Sequence, residues 1–212
     1  MMAGNEGRGV CRKCITLLPY IEQPRCFRCG RGISDAEEEY CEDCLRMTRH
    51  FDGGFPLFKY VPPVSDSVIS IKYEGREDYI EFYAREIVRV HGDAFRNLGI
   101  EGLVPVPLSK KRYKKRGFNQ ALSLAEAVGA LVGIPVLDIM ERTIDTLPQK
   151  ELGSEERMKN LEKAFAVKKD VSVPERLMVV DDIFTTGATV DTVAKLLKKA
   201  GATEVYYTSI CR

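Results

Sequence analysis

Two adjacent carboxylates, Asp181 and Asp182, close an apolar run (Leu177 to Val180) and precede a small, hydroxyl-rich stretch, Thr185, Thr186, Gly187, Ala188 and Thr189. As chemistry, this order is a strand, an acidic pair, a turn that can cradle an anion, and a helix. The first N–H groups of a helix lack intrahelical partners and lie at its positive end, where phosphate binds well. Gly187 lets the backbone approach an anion closely, and the threonine hydroxyls add short donors. Two carboxylates beside such a cradle would repel a bare phosphate. They suit a ligand that carries hydroxyls next to its phosphate, as ribose 5-phosphate does. A buried strand ending in a solvated acidic turn is the plainer alternative, and the TTGAT sequence argues against it. A P-loop is excluded because no G-x-x-x-x-G-K-[ST] motif occurs.

Residues 104–120, VPVPLSKKRYKKRGFNQ, are the second chemical segment. Six of the seven residues from Lys110 to Arg116 are basic, directly after a short apolar run and Pro107. Such a cluster repels itself unless it is solvated or paired with an anion. A solvated basic turn is the plain reading. The chemical one is a pyrophosphate site, because a loop leaving a sheet strand can face the same cleft as Asp181 and Asp182.

Six of the seven cysteines form three C-x-x-C pairs, Cys11/Cys14, Cys26/Cys29 and Cys41/Cys44. In a reducing compartment this pattern means metal rather than disulfides, and two such knuckles supply the four thiolates of a zinc tetrahedron. Both available combinations have the form C-x2-C-x11-C-x2-C, so spacing does not choose between them. Gly30, directly after Cys29, can take the positive φ of a tight knuckle and favours Cys26, Cys29, Cys41 and Cys44 as the Zn2+ ligands. Cys11 and Cys14 are then a relic, a redox pair or half of a site completed by another chain. A redox role for all three pairs is the competing reading. Cys211 reads as a small buried hydrophobe.

VVDDIFTTGAT resembles the phosphoribosyl pyrophosphate (PRPP) loop of the type I phosphoribosyltransferases. That resemblance implies that Asp181 and Asp182 hold the ribose hydroxyls and that Thr185, Thr186, Gly187, Ala188 and Thr189 hold the 5-phosphate. Mg2+ would then enter with PRPP, held mainly by ligand oxygens. Asp181 and Asp182 would also offset positive charge at the ribose C1 as pyrophosphate leaves. The order V-P-V-P, basic stretch, R-G-F-N-Q resembles the signature of the ComF family, which joins C-x-x-C zinc knuckles to a phosphoribosyltransferase-like domain. Ile71-Lys72-Tyr73-x-Gly75-Arg76 and residues 149–165 fit the same pattern, so the resemblance covers nearly the whole chain. By position, Leu108, Ser109 and Lys110 match the pyrophosphate loop of the transferases, and Arg112, Arg116 and Gln120 match the ComF signature. Family members often carry four C-x-x-C pairs, and the one lacking here would precede Cys11, which supports a single complete site. Residues 149–157 lie where related transferases carry a loop that closes over the reaction centre. The family's link to natural competence implies single-stranded DNA and the DNA-uptake helicase machinery as partners. A non-catalytic PRPP sensor that grips single-stranded DNA therefore rivals a transferase, although Tyr113 and Phe118 are the only aromatics in the basic segment.

These residues need elements to position them. Phe55 to Val61 reads as a strand stopped by Pro62-Pro63, Leu103 to Val106, Pro135 to Ile139, Leu177 to Asp181 and Val205 to Ile210 as further strands. Helical periodicity covers Val64 to Tyr73, Asp78 to Asn97, Gln120 to Leu131 (with Leu124, Ala127, Val128 and Leu131 inward) and Gly187 to Ala200. Ser154, with Glu155 and Glu156 behind it, is set to start a brief helix. The alternation predicts an α/β fold with a mostly parallel sheet of the type I phosphoribosyltransferase-like kind, ligands binding at the carboxyl ends of the strands. A zinc-ribbon domain would occupy residues 1–50 and the phosphoribosyltransferase-like domain residues 51–212, with Gly53-Gly54 as a hinge. His50 belongs to that join, and His91 reads as a helix-surface residue.

Composition narrows the classes further. With 212 residues and a net charge of +1, global electrostatics single out neither nucleic acid nor membrane. No apolar run approaches the ~18 residues that span a bilayer. The N-terminal MMAGNEGRGV lacks the apolar core of a signal peptide, so the expected location is the cytoplasm.

Overall fold

A strand that carries apolar side chains at consecutive positions must be covered on both faces. The run from Leu177 to Val180 meets that requirement in the computed structural model, which describes residues 10–143 and 161–212. Within β5 (Arg176–Ile183), Leu177 and Val179 point into one core and Met178 and Val180 into the other, all fully buried. Its neighbours are β6 (Glu204–Cys211) and β2 (Gly102–Pro105), and β1 (Gly53–Phe58) lies beyond β6. The order β1-β6-β5-β2 is parallel throughout.

Helices α3 (Val64–Glu74), α4 (Asp78–Asn97) and α6 (Gln120–Val132) cover the face of Met178 and Val180. The opposite face carries α7 (Ala188–Lys199) and an antiparallel pair, β3 (Met140–Arg142) with β4 (Phe165–Val167). The chain leaving the adjacent strands β5 and β2 therefore packs its helices α7 and α6 on opposite sides of the sheet. A crevice opens between such strands at their carboxyl ends, and ligands bind there in open α/β sheets. The N-terminal region holds two short helices, α1 (Arg12–Ile15) and α2 (Glu42–Arg46), and α5 (Lys110–Arg116) follows β2.

Several sequence expectations need correction. The basic segment is a helix, not a loop: the Ser109 hydroxyl accepts from the Arg112 N–H at its start, and Gly117, at φ 85°, ends it. Residues 135–139 give one parallel bridge, Val136 to Leu103, instead of a strand. Leu131 faces solvent, since α6 turns its other side (Leu124, Ala125, Val128) to the core. Gly53 and Gly54 are strand residues rather than a hinge. A Cβ at Gly54 would collide with the Tyr207 ring, so glycine is required there by close packing. The expected closing loop at residues 149–157 and the helix at Ser154 lie outside the described residues.

His91 is also corrected. It is buried on the inner side of α4, between the rings of Phe55 and Phe95, because the apolar stripe of this helix is wide enough to include it. Burial, reinforced by the Arg25 charge, lowers its pKa to about 4. A histidine held neutral in the fold supports stability fully above its unfolded pKa and loses that support as acid protonates the unfolded chain. The chain should therefore lose on the order of 3 kcal/mol between about pH 6.5 and pH 4 from this residue alone. In thermal melts across that window, His91→Phe should flatten the acid decline; an unchanged decline would show that His91 does not cause it.

Candidate functional site

Asp181 and Asp182 sit at the carboxyl end of β5, where the crevice beside β2 opens. Each is pinned locally: the Asp182 N–H donates to Asp181 Oδ1 at 2.9 Å, and the Ile183 N–H to Asp182 Oδ1 at 2.9 Å. From α3, Lys72 reaches across to place Nζ 2.8 Å from Asp182 Oδ2, with both side chains about 15% exposed (15% and 14%). This is an ionic contact rather than an aligned hydrogen bond, since Oδ2 has no hydrogen-bond partner. Burial, and then the charge of Asp182, raises the Asp181 carboxyl well above the usual carboxylate range. The pair is thus asymmetric: one carboxyl is driven toward its protonated form, and the other faces a lysine.

These carboxyls line a cleft of about 210 Å3 together with Lys72, Arg112, Arg116, Arg142, Thr185 and Thr189. The structure therefore brings both acidic residues, two threonines of the turn and Leu108, Arg112 and Arg116 to one crevice. Thr186, Gly187 and Ala188 form the turn without lining the cleft: the Thr186 hydroxyl accepts from the Ala188 N–H, and Gly187 takes φ 80°. Ser109 is buried as the cap of α5, and Lys110 faces solvent. Asn119 caps α6 and donates to the Val106 carbonyl at 3.0 Å, while Arg116 donates to Gln120 Oε1 at 3.0 Å. The sequence places Lys72 only within the Ile71–Arg76 segment of the family pattern. Its position beside Asp182 depends on a contact between residues 110 apart, which no local pattern encodes. Arg142 was missed because its strand pairs across a long connection.

Cys26, Cys29, Cys41 and Cys44 are all buried, and their Sγ atoms lie within 4.8 Å of one another. Zn–S bonds of ~2.3 Å in a tetrahedron require sulfurs ~3.8 Å apart, so this cluster fits Zn2+. Burial raises the Cys29 thiol to about 11, and burial with the neighbouring sulfurs raises Cys44 further. A dication reverses both effects, because it binds the thiolate. Gly30 has the expected positive φ, 63°, and its N–H donates to the Cys26 carbonyl. A Cβ there would also strike Gly54 O and Pro56, so the knuckle docks tightly on β1. Cys11 and Cys14 stand apart from this cluster, half-buried, with their sulfurs 3.1 Å apart. Cys211 is buried as expected, and burial pushes its thiol up to about 12.

The ribbon and the phosphate-type turn are physically connected. Tyr207 of β6 donates its hydroxyl to the Cys29 carbonyl at 2.7 Å and stacks on Phe184 with centroids 4.5 Å apart and planes 12° apart. Phe184 in turn fills the space under Gly187, where a Cβ would collide with its ring. Arg212 donates to the same Cys29 carbonyl and lies over Phe184. His50 is a tether, not a free joint: its N–H and Nδ1 both contact the buried Asp191 carboxylate of α7, at 2.6 and 2.9 Å.

The fold and site define an α/β protein with a parallel sheet and a zinc ribbon fused to it. Residues 2–45 match the double zinc ribbon domain family. Competence protein F of Haemophilus influenzae is 31% identical over 208 residues, covering 95% of this chain and 88% of its own. Competence protein ComFC of Streptococcus pneumoniae is 29% identical over 220 residues, covering 100% and 91%. DNA utilization protein YhgH of Escherichia coli is 27% identical over 208 residues, covering 96% and 90%. The chain belongs to the ComF (competence protein F) family. A purine phosphoribosyltransferase from Pyrococcus horikoshii Ot3 shares 57% of this chain and 78% of its own at a TM-score of 0.36 and 15% identity, too distant a likeness to define the fold. Among the described residues, no helix is long and apolar enough to cross a membrane.

Metal analysis should return one zinc per chain, lost with Cys26→Ser and kept with Cys11→Ser. Because the Cys29 carbonyl anchors Tyr207 and Arg212, chelation should lower the melting temperature of the whole chain in one transition. Two zincs per chain, or a melt unchanged by chelation, would contradict this assignment.

Proposed function

We propose that this chain binds PRPP with Mg2+ in the crevice between β5 and β2 and transfers its phosphoribosyl group to a nucleophilic acceptor, the bond from the ribose C1 to pyrophosphate breaking as the bond from C1 to the acceptor forms. The observation that carries the reading is the convergence of Asp181, Asp182, Thr185 and Thr189 with Lys72, Arg112 and Arg116 on one cleft. The acidic pair meets the ribose hydroxyls, one carboxyl able to donate and the other to accept. The turn before α7 holds the 5-phosphate through the hydroxyls of Thr185 and Thr189 and the N–H groups at the start of the helix. Arg112 and Arg116 hold the pyrophosphate, whose departure their charge favours. Asp182 is engaged by Lys72 and Asp181 is driven toward protonation, so the protein offers Mg2+ little; the ion would sit mainly on ligand oxygens, as Mg2+ tolerates well. The reading assigns the chain to the cytoplasm, where free thiols persist.

Calorimetry tests this directly. PRPP with Mg2+ should bind the parent chain, and Asp181→Asn with Asp182→Asn should weaken it by about tenfold or more, as expected when the charge-assisted hydrogen bond of Asp182 is lost. Unchanged affinity in the double variant would reject the ribose assignment.

A second reading, a single-stranded DNA-binding module serving DNA uptake, gains one observation. Tyr73, 60% exposed at the end of α3, lies beneath Lys115 Nζ and the Arg116 guanidinium, each 5.4 Å from its ring centroid. The basic helix therefore has a second exposed aromatic ring beside it, in addition to Tyr113 on the helix itself. Bases stack on such rings while the lysines meet phosphates. Lys114→Ala with Lys115→Ala should weaken single-stranded DNA binding and reduce its salt slope by about 1–1.5. Tyr73→Ala should weaken binding with the slope intact. Gel-shift titrations at several salt concentrations that show no change would remove this role.

A further inference from the structure

The seven cysteines divide by environment. Cys26, Cys29, Cys41 and Cys44 are buried together in the metal-ligand cluster, and a bound dication withdraws their thiolates from other chemistry. Cys211 is buried within β6. Cys11 and Cys14 are the pair left half-buried, reachable from solvent and in contact with each other. Zinc does not suit this pair. It would hold two sulfurs ~3.8 Å apart, whereas these lie at 3.1 Å. Among the described residues no third His, Cys, Asp or Glu atom joins them, and residues 1–9 hold neither cysteine nor histidine.

Local geometry makes the two sulfurs unequal. Cys11 directly precedes the single turn α1, and a spacing of three brings Cys14 round to the same face. The Cys14 N–H then donates to Cys11 Sγ at 3.3 Å. Both intervening residues, Arg12 and Lys13, are cationic. The contact with the Cys14 sulfur and its N–H, together with the Lys13 charge, lowers the Cys11 thiol below its ordinary range. The same sulfur–sulfur contact, and then burial, raises the Cys14 thiol. Cys14 is also the one that lines an apolar groove of about 410 Å3, with Leu17, Leu18, Tyr79 and Phe82. One sulfur is thus set up as a thiolate and its neighbour as a thiol held against it. Thiol–disulfide exchange needs that division of labour.

We propose that Cys11 and Cys14 are a thiol–disulfide exchange site for small-molecule disulfides, with Cys11 as the attacking sulfur and Cys14 as the resolving one. The Cys11 thiolate attacks one sulfur of R–S–S–R; that S–S bond breaks, and RS− leaves and takes up the proton that Cys11 gave to water. Cys14 then loses its own proton and attacks the Cys11 sulfur, releasing the second RS−, which takes up a proton in turn. Two electrons pass from the pair to the small disulfide, leaving one Cys11–Cys14 disulfide and two R–SH. Closing the sulfurs from 3.1 Å to the ~2.05 Å of a disulfide takes a shift of about 1 Å and involves no metal ligand. This chemistry is independent of what the crevice between β5 and β2 binds.

Oxidised glutathione, applied to the zinc-loaded full chain, is the probe. Two equivalents of reduced glutathione should appear per chain, mass mapping should place the new bond between Cys11 and Cys14, and zinc content should stay at the parent level. Cys14→Ser should stop at the mixed disulfide, with one glutathione held on Cys11. Cys11→Ser should react at least about tenfold more slowly. Zinc retained in both variants separates a lost site from a lost fold. Oxidation that begins at Cys26, Cys29, Cys41 or Cys44 with loss of zinc, or a parent chain that keeps both thiols in excess oxidised glutathione, would overturn the proposal. So would a mixed disulfide on Cys14 that forms in Cys11→Ser as fast as the one on Cys11 forms in Cys14→Ser.

Discussion

The hydrogen bond from Tyr207 to the Cys29 carbonyl is the contact on which the arrangement of this molecule turns. Tyr207 is fully buried in the inner strand β6, and burial raises its hydroxyl pKa well above the ordinary value. A buried hydroxyl without a partner is costly, so the metal knuckle is fixed to the sheet at this point. The same ring supports Phe184 on one side, meets Phe51 edge-on at 5.2 Å and excludes any side chain at position 54. Through Phe184 it sets the turn at Gly187. One hydrophobic cluster consequently runs from the four cysteines through Phe51 and Tyr207 to Val179 and α7.

The crevice shows how neighbouring like charges are accommodated. Two carboxylates one residue apart at the end of a buried strand cannot both be ionised cheaply. Here the solution is unequal surroundings. Lys72 stands beside Asp182, while burial drives Asp181 toward its protonated form and its Oδ1 accepts from the following N–H. A pair arranged in this way presents both hydrogen-bond polarities to a diol, which two equivalent carboxylates would not.

Local chemistry was legible in the sequence and distant chemistry was not. The strand, acidic pair and turn at 177–189 could be read because an apolar run, a glycine and a helix start are all encoded within a few residues. The tetrathiolate was legible from spacing, and Gly30 pointed to the correct four cysteines. Residues 110–116 were misread as a loop because charge dominates their composition, although Ser109 and Gly117 carry the cap signals of a helix. His91 was misplaced because a polar residue on an amphipathic helix is usually outside. Lys72 beside Asp182, Tyr73 under Lys115, and Tyr207 against Cys29 join residues far apart in the chain. Each arises from how α3, α5 and the ribbon converge on the sheet, and no window of sequence contains it.

The strand order has a consequence for how the chain is made. β6 is last in sequence among the described elements, yet it lies inside the sheet, between β1 and β5. The ribbon emerges before the sheet and can take its metal early, but its docking partner, Tyr207, is translated 178 residues after Cys29. Until then β1 and β5 each lack a neighbour, and the ribbon can rest on β1 but not on Tyr207. Native pairing of this long-range kind is slow and exposes unpaired strand edges. Assembly of the sheet, seating of the ribbon and shaping of the turn at Gly187 therefore coincide with the arrival of a single late strand.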